Sequence, residues 1–482
     1  MITERKSMPK SSHTTMMSGI LLVALALIAG GCASTSPRVA FNEVHAELKQ
    51  RGVDSLYWHS GAEEDRQVGE AMARLLEQDL TGETAVQITL LNNRRLQAVY
   101  QTLGIVQADL VQAGLLSNPV FGGEYRFAVT GGLGPLGLNV AQSFLEIFYI
   151  PLRKRVAKSQ LEEAKLTVAG LVLDFEYETR IMFYEVQANA QLVEMFQQVG
   201  QAMASGYDFA RRLHAAGNIT DLELNQQRDL YEQARLDLRQ VEADLIHSRE
   251  RLNQLMGLYG EQIHWKAMDR LADVPGEEID VERLEARVIE QSLDLKLAAQ
   301  RIITAGHRLG FTKTTALIPW LDIGADAEKT EAWEVGPALS FPIPLFDQGR
   351  PRIARNRAEL RQEQERYTAF AVEIRSIARQ YQNHLEAAKD MARHYRQVIL
   401  PLRERITNET QLQYNAMQVG LLDLLRAREQ QIEAGKAYVH TLYEYWSAKI
   451  AIELLLRGRV PRPIETIEGP VPFGPVSFDG EQ

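Results

Sequence analysis

The chain has 482 residues, 24% charged and 45% hydrophobic, the balance of a globular protein with room for two or three domains. A net charge of −10 with no basic tract argues against a nucleic-acid partner. Cys32 is the only cysteine, which excludes an intrachain disulfide and any metal site built on Cys.

Arg5, Lys6 and Lys10 form a positive start, followed by a short apolar run from Ile20 to Ile28. A bilayer span takes about 20 apolar residues, so residues 1–31 read as a signal peptide. Ala29, Gly30 and Gly31 lead into Cys32, which resembles the bacterial lipobox, in which the cysteine is lipidated and becomes the new N-terminus. Ala29 departs from the leucine that pattern prefers, and an ordinary secretory peptide is the alternative. Ala33 stands where an aspartate would signal inner-membrane retention, which favours the outer membrane. Residues 32–60 are expected to be a lipidated tether, with covalent lipid (palmitate) on Cys32 and no other cofactor. No later stretch has 18 uncharged apolar residues, so a membrane-spanning part must be a β-barrel.

The remainder is duplicated with a period of about 200 residues, one repeat over 61–258 and another over 283–456. Leu96 and Ala98 match Leu295 and Ala298. Pro119 matches Pro319, Pro151-Leu152 matches Pro344-Leu345 before a basic-start helix, and Gly217 matches Gly420. Each repeat predicts a helix, two strands, a very long helix, a turn and a returning helix. The long helices run over 152–216 and 352–417, the returns over 221–258 and 422–456, as antiparallel coiled-coil pairs. Pro401 should kink the second long helix. Residues 259–282, containing Trp265, are expected to wrap the middle with the C-terminal segment. The tail over 457–482, rich in Pro and Gly, is expected to be extended or disordered.

Strands are expected at about 119–129, 138–150, 315–328 and 332–344, from period-two alternation. Phe121, Tyr125 and Phe127 oppose Glu124 and Arg126; Ile323, Ala325 and Ala327 oppose Asp322, Asp326 and Glu328; Val335 and Leu339 oppose Glu334 and Ser340. Such strands fit a transmembrane barrel or a half-buried soluble sheet. Four cannot close a membrane barrel, whose smallest members have eight, so three chains would supply twelve.

Three motifs in order carry a resemblance over about residues 60–460. They are Leu91-Asn-Asn-Arg-Arg-Leu96 with Ala108 to Pro119, Leu339 to Gly349 before the second long helix, and the turns Ala215 to Asp221 and Val419 to Asp423. Together they resemble the outer-membrane factor (TolC) family of trimeric channel-tunnels, in its lipid-anchored branch. The resemblance implies a mainly α protein with a shared twelve-stranded membrane β-barrel over a periplasmic α-barrel. It also implies passive efflux as a homotrimer, with a periplasmic adaptor and an inner-membrane pump, expected to be proton-driven. Candidate cargoes are small molecules or metal cations; type I protein secretion is the alternative. A lipid-anchored periplasmic coiled-coil scaffold without a pore is the competing reading.

No phosphate loop, HExxH or GxSxG is present, so no catalytic residue and no resident metal is expected, and His214, His307 and His384 read as surface or packing residues. The resemblance places both turns at a periplasmic tip. Asp221 and Asp423 align with aperture acids, with Arg426 where the family has another acid, and the second turn is shorter. The alternative for Asp221 is a helix N-cap. Gly217, Asn218, Ile219, Gly420, Leu421 and Leu422 are candidate adaptor contacts, the glycines as permissive turn residues. Glu124, Arg126, Asp322, Asp326, Glu328 and Glu334 are expected to face the barrel lumen, an acidic excess that favours cations.

Overall fold

The computed structural model describes residues 36–462 except 60, 62, 128–132, 268, 269, 277–279 and 331. The expected signal peptide, Cys32 and the tail beyond Arg462 lie outside the described residues, as does part of the loop before Gly137.

Helices α1 (Arg38–Lys49) and α2 (Glu63–Leu76) precede the two repeats. The first repeat comprises α3 (Gly82–Asn92), α4 (Arg94–Gln112), β1 (Val120–Phe127), β2 (Leu133–Ser143), α5 (Glu146–Ala215) and α6 (Asp221–Met256). The second comprises α7 (Leu284–Gln291), α8 (Leu293–Thr315), β3 (Asp322–Lys329), β4 (Trp333–Ser340), α9 (Arg350–His394), α10 (Leu400–Asn415) and α11 (Leu421–Leu456). The duplication extends to fine detail. Asn93 and Ser292 each leave helical geometry, and each side chain caps the next helix by accepting from the N–H of Leu96 (2.9 Å) or Leu295 (3.0 Å).

Helix α5 has 70 residues, about 105 Å at 1.5 Å per residue. Most of a helix's stability in a protein comes from tertiary packing, and α5 has a different set of partners along each half. Near its start Ser159 meets Gln300 and His307 of α8; farther on Arg180 pairs with Glu453 of α11 and Asn189 bonds Ser248 of α6. Its middle, Val168 to Phe175, is buried nearly all round. Truncating one of these buried residues, such as Leu173, to alanine costs about 2–5 kcal/mol.

Between α9 and α10 the ladder widens into a π turn over Tyr395–Ile399. The kink expected at Pro401 takes this form: the proline supplies no N–H, and the slack is taken up just ahead of it.

The strands are shorter than expected at their helix-proximal ends. Residues 144–150 are not strand: α5 already starts at Glu146, whose carboxylate accepts from the Ser117 N–H at 2.9 Å and faces Arg153 at 3.8 Å. Residues 315–321 and 341–344 likewise lie outside β3 and β4. Phe148, Leu317, Trp320, Phe341 and Ile343 in these stretches are exposed apolar residues outside the ladder.

Two terminal expectations are corrected. Residues 38–49 are no tether but a helix, α1, with Ala40, Val44 and Leu48 in the core beside α4 and α5. The tail's first residues are not loose. Gly458 turns with φ +89° and its carbonyl accepts from the Leu293 N–H at 2.8 Å, while Arg459 and Val460 are buried. Between the repeats Trp265 is buried, with its indole donating to Asn253 at 2.7 Å and Arg249 over its ring.

Candidate functional site

Two surfaces gather the sequence-predicted residues, a sheet at one end of the helices and paired turns at the other. The sheet is antiparallel in the order β1-β2-β3-β4, so the second strand of one repeat pairs with the first of the other. Residues directly opposite share a face. Glu124 pairs Gly137, Gly137 pairs Glu328, and Glu328 pairs Glu334. Asn139 pairs Asp326, and Ser143 pairs Asp322, which pairs Ser340. Glu124, Asp322, Asp326, Glu328 and Glu334 therefore lie on one face. The register slips between Tyr125 and Phe127, and Arg126 at that slip turns its guanidinium to Glu124 at 2.7 Å.

The other face is apolar. Phe121 pairs Val140 and Val140 pairs Ala325; Leu138, Ala327 and Val335 form the next row, and Ile323 pairs Leu339. Phe121, Val335 and Leu339 are 68%, 74% and 62% exposed. Large exposed aromatics flank this face. Trp320, Phe148 and Phe346 stand near the helices, and Trp333 stands at the far end with Lys329 6.0 Å from its ring. Among the described residues β1 and β4 each have one unpaired edge. A sheet with an exposed apolar face, aromatic ends and two open edges is incomplete alone. Among the described residues no helix is long and apolar enough to cross a membrane.

At the opposite end the two turns superpose position for position. Ala216 and Ala416 cap the incoming helices. Gly217 and Met417 take the left-handed conformation (φ +73° and +56°), and Asn218 and Gln418 each bond back to the helix at 2.9 Å. Thr220 and Gly420 are the N-caps of the return helices. Three expectations change accordingly. Gly217 aligns with Met417, not Gly420; Gly420 has an ordinary extended φ of −79°; and the second turn is not shorter.

The acids change with them. Asp221 is not the N-cap, since the Thr220 hydroxyl accepts from the Glu223 N–H and the Glu223 carboxylate accepts from the Thr220 N–H at 2.8 Å. Asp221 is free of capping, 88% exposed, and bonds His214 across the turn at 2.7 Å. Asp423 corresponds to Glu223, not Asp221, and its carboxylate accepts from the Gly420 N–H at 3.3 Å. Leu421 takes the position of Asp221 and is half-buried, whereas Leu422 is 51% exposed, like Leu222 at 66%. Arg426 lies exposed about a turn further along.

Sequence reasoning missed one cluster. Arg459 is buried between Asp174 of α5 and Asp294 of α8, its Nε 2.8 Å from Asp174 Oδ1, and Asp294 also accepts from the Val460 N–H at 2.9 Å. Burial opposes the guanidinium's charge, but the hydrogen bonds it donates to both carboxylates outweigh this and raise its pKa above the ordinary value. Arg457 pairs nearby with Glu176 at 2.8 Å and donates to the Arg51 carbonyl at 2.6 Å. No run or spacing marks these residues, and their partners are far away in sequence.

The chain is 23% identical over 393 residues to the cobalt-zinc-cadmium resistance protein CzcC of Cupriavidus metallidurans, covering 78% of this chain and 90% of that protein. No protein-family model matches it. Its fold matches the CmeC outer membrane channel of Campylobacter jejuni (TM-score 0.62, 15% identity, 80% of this chain and 88% of that one). It also matches the outer-membrane channel OprN (0.62, 17%, 80% and 92%) and the open MtrE outer membrane channel of Neisseria gonorrhoeae (0.60, 13%, 79% and 90%). The fold is that of the channel-tunnels, whose members are channels and not enzymes. In sequence the chain is similar to a metal-resistance protein, and its fold is shared with outer-membrane channels of the outer-membrane factor (TolC) type.

Proposed function

We propose that this chain is one protomer of a trimeric outer-membrane efflux channel, passively conducting cargo delivered by an inner-membrane pump through a periplasmic adaptor. The observation that carries the reading is the sheet, with one acidic face, one exposed apolar face and an unpaired edge on each side. Three copies joined edge to edge make twelve strands, with lipid on the apolar face and water on the acidic one. A water-exposed scaffold has no use for the apolar face. Lipid on Cys32 is an auxiliary anchor to the outer membrane, and the pump is of the proton-driven type.

In this reading Glu124, Arg126, Asp322, Asp326, Glu328 and Glu334 line the lumen. Asp221, Asp423 and Arg426 belong to the periplasmic gate, with Asp221 the exposed charge. Gly217, Asn218, Ile219, Gly420, Leu421 and Leu422 meet the adaptor. Cargo of divalent metal cations is favoured over polypeptides by the similarity to a cobalt-zinc-cadmium resistance protein and by the acidic lumen face. Single-channel recording of the purified trimer in planar bilayers tests the proposal. A cation-preferring conductance is expected; a trimer that never conducts refutes it.

A further inference from the structure

Conduction leaves one sequence feature unused, the basic starts of the two long helices. Arg153, Lys154, Arg155 and Lys158 lie two to three turns into α5, and Arg350, Arg352, Arg355 and Arg357 open α9. Helix N-termini favour anions and disfavour cations, so Arg350 and Arg352 in the first turn of α9 stand against the helix dipole. Both clusters lie just where the sheet ends, at Ser143 and at Ser340.

The first cluster rims a cleft of about 540 Å³ between α4 and α5, with Lys154, Arg155 and Lys158 beside Leu110, Val111 and Leu115. None of these three cations has a carboxylate partner among the described residues. The cleft is the upper end of a longer groove whose lower part α1 fills. There Phe41 packs edge-on to Tyr100 at 5.1 Å, Glu43 bonds Lys165, and Pro37 lies against Gly104. Lys154, Lys158 and Lys165 follow one stripe of α5, so the open cleft and α1 share a side of the helix pair. Above the cleft the chain passes from Leu115 directly into β1 at Val120, at the edge of the exposed apolar sheet face.

We propose that this cleft binds an anionic phospholipid of the leaflet nearest the helices. Lys154, Arg155 and Lys158 hold its phosphate, and its acyl chains pass Leu110 and Leu115 toward the apolar sheet face. The arginines that open α9 form the counterpart in the second repeat. Three cations without partners beside apolar residues, continuous with an apolar membrane-facing band, match a phosphate joined to hydrocarbon. The proposal rests on the reading of the sheet as membrane-spanning.

Native mass spectrometry of the full-length trimer, with phosphatidylglycerol or phosphatidylcholine added, tests it. Wild type is expected to retain phosphatidylglycerol preferentially. Lys154→Gln with Lys158→Gln is expected to lower that preference about tenfold, and Lys154→Arg with Lys158→Arg to keep it. The trimer mass in the same spectrum reports assembly. Equal retention of both lipids by wild type, or an undiminished preference in the glutamine variant, overturns the proposal. So does phosphatidylglycerol binding that appears only after Cys32→Ser, which gives the cleft to the chain's own lipidated N-terminus. Conductance of the same preparations separates the two readings: a conducting glutamine variant with unchanged lipid preference sinks this one alone.

Discussion

Glu328 and Glu334 stand directly opposite each other across the β3–β4 ladder. Like charges at opposed positions weaken strand pairing, so the pair costs stability in the chain that carries it. In the proposed channel this acidic row faces a water-filled lumen, where it concentrates cations and gives that cost a use. Glu328→Gln with Glu334→Gln is expected to lower the cation-to-anion permeability ratio of the reconstituted channel, read from the reversal potential in a salt gradient. An unchanged reversal potential removes this row from selectivity.

Arg459 binds the C-terminal segment to both repeats through Asp174 and Asp294. Arg459→Ala leaves two buried carboxylates uncompensated, which costs about 3–5 kcal/mol. Thermal unfolding in detergent is expected to show a clear drop in midpoint for Arg459→Ala. Replacing Arg459, Asp174 and Asp294 together with apolar residues is expected to recover most of it. An unshifted single variant contradicts the arrangement.

The two tip acids differ in role. Asp423 holds the Gly420 N–H, so Asp423→Ala is expected to speed amide exchange at the start of α11, with a loss of about 1 kcal/mol. Asp221 holds no backbone group, so Asp221→Ala is expected to leave exchange at the start of α6 unchanged while altering closed-state leak. Equal exchange effects from both substitutions contradict the assignment.

A pH dependence follows from Glu47 of α1. Burial opposes its ionisation, but hydrogen bonds from Arg51 and Lys296 outweigh that and hold its carboxyl below the ordinary 4.5. A lowered carboxylate pKa contributes stability that is present above the unfolded value and lost as pH falls through the folded one. Wild type is therefore expected to lose more stability than Glu47→Gln on acidification below about 4.5. Parallel losses in acid melts of the two proteins contradict the pairing.

Much of this was legible because it is periodic or punctuated. Alternation from Phe121 to Phe127 and from Asp322 to Glu328 marked two faces, and the ladder registers gather Glu124, Asp326 and Glu334 as that alternation requires. The turns misled because glycine served as their landmark. In the second turn Met417 bears the left-handed φ that Gly217 bears in the first, so Gly420 is not the counterpart of Gly217. The termini misled for another reason. Helix α1 and Arg459 are fixed by partners on distant elements, Glu43 by Lys165 and Arg459 by Asp174, and local composition carries no trace of such contacts.

The central claim is that the sheet spans a membrane with its two faces in different solvents. Spin labels at Val335 on the apolar face and Asp326 on the acidic face of the protein in lipid bilayers test it most directly. The account predicts that Val335 is accessible to oxygen dissolved in lipid and that Asp326 is accessible to a water-soluble relaxation agent. Water access at both positions would contradict it.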